Sequence, residues 1–401
     1  MSAIVLSTHN DFVTLPSDSQ FHYMETIIGF DAKRIVRNAT GLGNYCRTLV
    51  NDLAHVIPAD WQLRLYTPDA GRDHLRRQVE TSSQLQFVYP QNRPLSIQRS
   101  LWRISSIVGD LKRQHVSLFH GLTGELPRGI RQAGIPSVVT IHDLIFMRHP
   151  EYYHWLDTRI YEWKFRYTCR EANRIIAISN RTKQDIIELG GVSDDKIDVI
   201  YQSCSPRFAG ELAPDQIAEV LSHYQLPRRF ILSVGSIEER KNIALAVNAL
   251  HHLPDDIHLV AVGKPTKYSE QILQRISGTP LAQRVHFLHG VPDNHLHALY
   301  RAAEVFVYPS RYEGFGIPII EAIHSRLPVV AATGSCLEEA GGPDCLYVSP
   351  DDEQALAAAV RRLLVGAEGR EERISRCREY VRRFEGNDVA TQVLNVYRQL
   401  I

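Results

Sequence analysis

Short apolar runs alternate with helical patterns along this chain, and the alternation stops once and then restarts. Strands that are apolar throughout, each followed by a helix, belong to parallel sheets covered on both faces. The first round has strands at Ile27–Asp31, Leu63–Thr67, Gln86–Tyr89, Leu118–His120, Ser137–Ile141, Arg174–Ile178 and Ile197–Tyr201. Helical stretches lie at Cys46–Val56, Arg99–Gln114, from about Tyr152 to Asn173, and at Thr182–Leu189. A break follows at Ser203–Pro227, with prolines at 206 and 214 and one short polar helical stretch. The second round has strands at Phe230–Val234, His258–Val262, Val285–His289, Val305–Tyr308 and Pro328–Ala331. Its helices lie at Ile243–Leu250, near Tyr268–Ile276, and at His295–Ala303 and Pro318–His324. From Gln354 to Leu400 the pattern is helical throughout.

Each round is long enough for its own doubly wound sheet, since domains run to about 100–200 residues. The expected division is an N-terminal domain over 24–208, a linker over 209–227, a C-terminal domain over 228–385, and a closing helix over 386–401 that returns to the N-terminal domain. Residues 1–23 are polar and patternless, and read as a loose extension or as the result of an upstream start, with Met24 as the natural beginning. Two such domains facing each other enclose a cleft at the carboxyl ends of both sheets, where open parallel sheets bind ligands.

Composition narrows the function. Forty-five basic and 45 acidic side chains cancel, which excludes a globally basic nucleic-acid binder. No window approaches the roughly 18 consecutive apolar residues of a membrane span. The six cysteines form no C-x-x-C and no Cys/His ligand spacing, so neither a zinc site nor a disulfide framework is signalled. A soluble cytoplasmic protein is the expectation.

Three segments after strands carry the chemistry. In Glu313-Gly-Phe-Gly-Ile-Pro-Ile-Ile-Glu321, a glycine-containing loop runs from a buried strand into a helix, with Pro318 in the first helical turn. The backbone N–H groups of that helix start can seat a diphosphate. Glu313 in the loop and Glu321 in the helix flank the seat, placed to grip hydroxyls, one a ribose and the other a hexose. In Ser233-Val-Gly-Ser-Ile-Glu-Glu-Arg240-Lys241-Asn242, Gly235 turns the chain and two cations precede a helix. Cations there oppose the macrodipole unless an anion is present, and a nucleotide diphosphate is such an anion. Thr140-Ile-His142-Asp143 ends a buried strand and aims His142 at the cleft, although a lone histidine is more often structural than catalytic. Gly41-Leu-Gly43-Asn44 opens the helix beginning near Tyr45. It is too short for a dinucleotide fingerprint and suits a tight turn as well as a ligand loop.

Tyr-Glu-Gly-Phe-Gly-Ile-Pro-Ile-Ile-Glu-Ala resembles the E-x7-E element of the retaining glycosyltransferases of family 4, which have the GT-B fold: two Rossmann-like α/β domains facing each other across a cleft. The resemblance spans Ile28 to about Val348. It implies that Glu313 contacts donor-sugar hydroxyls and Glu321 the nucleotide ribose. Arg240 and Lys241 resemble the family's R-x4-K element, here with the two cations adjacent. The loop with Gly41 and Gly43 matches the glycine loop that closes over the donor phosphates and the acceptor, and His142 matches a histidine beside the donor sugar. Gly235 belongs to the same donor loop as Arg240. Gly314, Phe315 and Gly316 belong to the Glu313 loop, and Gly263 and Val291 resemble positions lining the nucleobase pocket.

The resemblance implies a catalytic set of His142, Arg240, Lys241 and Glu313, and a donor that is a nucleotide sugar, GDP-mannose favoured over UDP-sugars. No cofactor and no metal are expected: no D-x-D tripeptide occurs, so leaving-group charge falls to Arg240, Lys241 and the helix start. Transfer is expected to retain anomeric configuration, onto a hydroxyl of a glycan or lipid-linked glycan acceptor in polysaccharide or O-antigen-type biosynthesis. Arg93–Arg113 carries five cations against one acid, interleaved with Leu101, Trp102 and Ile104. It reads either as a peripheral contact with an anionic leaflet at the inner face of the cytoplasmic membrane or as an ordinary core-facing helix. The same architecture also hosts nucleotide-sugar epimerases, phosphorylases and non-catalytic sugar-nucleotide binders.

Overall fold

The computed structural model describes residues 25–91 and 96–401. The expectations for residues 1–23, Met24 and Arg93 lie outside the described residues. Strands β1 (Thr26–Asp31), β2 (Trp61–Tyr66), β3 (Leu85–Val88), β4 (Leu118–Gly121), β5 (Ser137–Ile141), β6 (Arg174–Ala177) and β7 (Ile197–Val199) form one sheet. Their order is β3-β2-β1-β4-β5-β6-β7 and every pairing is parallel. Strands β8 (Phe230–Val234), β9 (His258–Val262), β10 (Val285–Leu288), β11 (Val305–Tyr308), β12 (Val329–Ala332) and β13 (Leu346–Val348) form a second parallel sheet in the order β10-β9-β8-β11-β12-β13. The strand direction of growth reverses between β1 and β4 and again between β8 and β11, and loops flanking such reversals form ligand crevices.

The central strands are buried end to end, as in Ser137–Ile141 and Val329–Ala332. Burial on both faces explains why they read as continuous apolar runs. The short edge strand β13 is only half-buried along its length and has no such signature. The helical stretch from Gln354 is three helices, Glu353–Arg361, Arg370–Val381 and Gly386–Arg398. Gly366 and Gly369 adopt positive φ at the first break. The last helix lies on the N-terminal sheet: Val393, Leu394 and Tyr397 share a core with Leu49 and Leu53, and Tyr397 Oη contacts His120 Nδ1 at 2.6 Å.

Two local expectations are corrected. The glycine loop is helix: Gly41–Val56 is one continuous element, so Gly41 and Gly43 form its first turn. A Cβ on Gly43 would stand 1.8 Å from the Asn38 carbonyl, a close approach that Arg47 seals by donating to the Asn38 and Ile35 carbonyls. The Arg99–Gln114 helix contains a π-helical turn at Trp102–Ser106 that rolls Trp102 inward. Trp102 is fully buried with its indole N–H on Asp110, and Arg103 is paired with Asp31 and Glu125. Of the two readings of this segment, the core-facing one holds for Trp102, while Leu101 and Ile104 stay exposed.

Candidate active site

The two loops at the β8/β11 reversal bring Arg240, Lys241 and Glu313 into one cluster. Glu313 Oε1 accepts from Lys241 Nζ at 2.5 Å and from Ser310 Oγ at 2.6 Å, and its Oε2 faces Arg240 Nη1 at 3.0 Å. Arg240 also donates to the Tyr312 carbonyl at 2.6 Å, and Lys241 to Tyr308 Oη at 2.7 Å. Burial alone would raise the Glu313 carboxyl, but Lys241 and Arg240 outweigh it and hold the group down at about 2. The cations precede a left-handed turn. Asn242 sits at φ 54°, a left-handed geometry that asparagine tolerates, and its side chain donates to the Pro309 and Pro350 carbonyls. Glu238, more exposed, stands 3.8 Å from the other Arg240 nitrogen, so Glu313 is the buried counter-charge shared by the two cations.

The helix Ile317–His324 begins beside this cluster, with Gly316 before it and Pro318 in its first turn. Its early N–H groups lack intrahelical partners and carry the positive end of the helix dipole. Ile317, Pro318 and Glu321 line a cleft of about 390 Å³, whose opposite wall is Gly41, Tyr45 and Arg47 of the N-terminal sheet's first long helix. Burial pushes the Glu321 carboxyl up to about 7, an effect reduced by the Tyr300 hydroxyl donating at 2.9 Å.

Gly314 sits where the two sheets meet. A Cβ there would stand 1.9 Å from the His142 carbonyl oxygen, so only glycine allows this approach. Ser179 Oγ donates to the Gly314 carbonyl at 2.7 Å, and Glu339 accepts from the backbone of Asn180 and Arg181 at 2.8 and 2.9 Å. A carboxylate of the C-terminal sheet region thus caps the helix Asn180–Gly190 of the other.

His142 differs from the expectation. Its Nε2 lies 2.9 Å from the Leu122 carbonyl, which can only accept, so Nε2 carries the proton. Its Nδ1 accepts from Gln202 Nε2 at 3.0 Å. Both nitrogens are engaged within the protein, and burial lowers the ring to about 4, so it stays neutral. The ring stands edge-on to Tyr45 at 4.7 Å and lines a second cavity of about 280 Å³ with Arg34 and Asp143.

Phe315 is also corrected: its side chain is buried, stacked on Tyr201 and edge-on to Phe384, each at 5.3 Å. It fixes the loop from behind, and its carbonyl accepts from Cys336 Sγ at 2.7 Å. Gly235 and Gly263 lie against each other, with Gly235 N–H donating to Val262 O at 2.9 Å. Val291 packs half-buried on the core around Tyr300. Sequence reasoning missed Gln202, Tyr300, Ser310 and Asp143. Three of these, Asp143, Gln202 and Ser310, fall within three residues after a strand, which is the signal that could have found them.

Two parallel sheets with facing loops, and this charge cluster between them, are the architecture that the comparisons with known proteins also find. A family model described as glycosyl transferases group 1 matches residues 222–383, and one described as glycosyltransferase family 4 matches residues 39–206. The O-antigen chain mannosyltransferase B of Escherichia coli is 29% identical over 381 residues, 90% of this chain and 96% of that protein. The O-antigen chain mannosyltransferase RfbU of Salmonella typhimurium strain LT2 is 30% identical over 257 residues, 64% of this chain and 68% of that protein. Among solved structures, Anabaena HepE in complex with UDP and glucose has a TM-score of 0.72 at 19% identity, over 94% of this chain and 100% of that one. The chain belongs to glycosyltransferase family 4.

Proposed function

We propose that this chain moves a mannosyl group from GDP-mannose, in preference to UDP-sugars, to a hydroxyl of a growing O-antigen-type glycan, with retention of configuration. The observation that carries the reading is the pairing of Arg240 and Lys241 with Glu313 beside the start of the Ile317–His324 helix. Two cations and a helix N-terminus match a diphosphate, and a permanently ionised carboxylate among them matches sugar hydroxyls. The mannosyltransferase names of the relatives support the sugar. Glu321 takes the ribose.

Arg240, Lys241 and the helix start supply the charge that meets the leaving diphosphate, so the step needs no metal. The bond from the anomeric carbon to the phosphate oxygen breaks while the acceptor oxygen bonds on the same face. The acceptor's proton passes to the departing phosphate oxygen. Both oxygens of Glu313 are engaged, one by Lys241 and Ser310 and the other by Arg240, which suits gripping hydroxyls better than nucleophilic attack in a double displacement. His142 acts as a positioning residue through its ring and its bond to Gln202. A thermal-shift panel of GDP- and UDP-sugars tests the donor: stabilisation by GDP-mannose above all others is expected, and indifference to every nucleotide sugar overturns the reading. Isolation of a covalent mannosyl-enzyme overturns the front-face step.

A further inference from the structure

The His142 cavity does not end at the active centre. It shares Glu125 and Lys164 with a neighbouring cavity of about 270 Å³ under the helix Trp155–Glu171. Lys164 Nζ donates to Glu125 Oε1 at 2.9 Å, and this ion pair forms the sill between the two cavities. Beyond the sill, Trp163 and Tyr167 are stacked, with centroids 5.9 Å apart and ring planes 18° from parallel. Arg128 lies 4.9 Å over Trp163, and the Gly129 N–H donates to Tyr167 Oη at 3.2 Å. The platform is held in place, yet Trp163 keeps 51% of its surface open, so part of the ring is free to receive a ligand.

The chemistry around the platform is that of a sugar site. The floor holds Asp31 and Glu125, both paired with Arg103. Paired carboxylates and guanidinium groups bind hydroxyls through many directional hydrogen bonds, while the C–H face of a pyranose packs on an aromatic ring. The same helix also exposes Trp155, Leu156 and Ile160, an apolar face that a bilayer could cover, and the vesicle measurement below separates that contact from a sugar site. Trp163 and Tyr167 line a concavity that shares Glu125 and Lys164 with the His142 cavity, and its acids are paired with Arg103 and Lys164.

We infer that the groove from His142 over the Lys164–Glu125 sill to the Trp163–Tyr167 platform is a distal subsite for the non-reacting units of a glycan acceptor, so that this chain prefers long acceptors to short ones. The inference rests on the transferase reading above. The platform sets acceptor length, and the reacting hydroxyl stays in the His142 cavity.

The test compares Trp163→Ala with Trp155→Ala, a substitution on the same helix at a residue 70% exposed and outside the cavity. Kinetics use mannose-terminated disaccharide and hexasaccharide acceptors, and calorimetry measures hexasaccharide binding without donor. Trp163→Ala should raise the KM for the hexasaccharide about tenfold, the scale of one lost aromatic contact. The KM for the disaccharide, kcat and donor affinity should not change, and Trp155→Ala should match the unsubstituted protein. Equal effects on both acceptors, or none, overturn the subsite. So does equal damage from both substitutions accompanied by lost binding to anionic phosphatidylglycerol vesicles, which would assign the face to a bilayer. If the unsubstituted protein binds the hexasaccharide through Trp163 but turns over no nucleotide sugar, the subsite stands and the transferase reading falls.

Discussion

The loops of the two sheets face the same cleft but hold their polar groups in opposite ways. After β8 and β11, charges of both signs are locked together, with Glu313 between Lys241 and Arg240. After β5 and β7 the central group is neutral: His142 is uncharged and tied to Gln202 and Leu122, while Glu125, paired with Lys164 and Arg103, lines the cavity beside it. A polyanion is held by fixed charge, which must be assembled before the ligand arrives. A hydroxyl acceptor is held by shape and hydrogen bonding, and a fixed net charge would add nothing for it. The proposed division, donor at one sheet and acceptor at the other, rests on this difference.

The charge cluster should be the most sensitive point of that division. Glu313→Gln keeps the side chain's shape but leaves two cations without their counter-charge. We expect kcat to fall roughly 10²–10³-fold. A loss of only about threefold would dissolve the contrast between the two sides. Next comes the seam. Gly314→Ala places a Cβ against the His142 carbonyl and must push the donor loop away from the acceptor side. Steady-state kinetics should show a loss of roughly 10²-fold, typical of an ångström-scale misplacement, with circular dichroism unchanged.

The pH response of Glu321 separates the sides more gently. With its carboxyl at about 7, Glu321 becomes a full acceptor for ribose hydroxyls only as pH rises through that value. The KM for donor should therefore fall between about pH 6 and 8, and Glu321→Gln should flatten that dependence. The stability effect has the opposite sense. The folded value lies above the unfolded one, so this contribution is complete below the ordinary carboxylate range and is lost as pH rises through about 7. Urea titrations of Glu321→Gln across the same window should lack that slope. The smallest effect belongs to the cap between the sheets: Glu339→Gln should cost about 1 kcal/mol by denaturant titration, with kcat changed less than by Gly314→Ala.

The donor side was more legible in the sequence than the acceptor side, for a physical reason. Arg240, Lys241, Glu313 and Glu321 lie in two short segments directly after buried strands, so spacing alone nominates them. Gln202 meets His142 from 60 positions away, and Glu339 caps a helix 159 positions away. Such contacts exist only once the chain is folded. The inward roll of Trp102 has the same origin: it depends on a π-helical turn and on Asp110. The apolar spacing did not distinguish a leaflet from a core. The fold itself was legible because fully buried parallel strands write continuous apolar runs, and β13 was missed because its half-buried edge does not.

One measurement tests the division of labour most directly. The protein is incubated with a mannose-terminated acceptor and, in turn, GDP-mannose, UDP-glucose and UDP-N-acetylglucosamine, and the product's anomeric configuration is read by NMR. The account predicts a new α-mannosidic bond formed from GDP-mannose, abolished by Glu313→Gln and unaffected by chelator. A β-linked product, or transfer from a UDP-sugar in place of GDP-mannose, would contradict it.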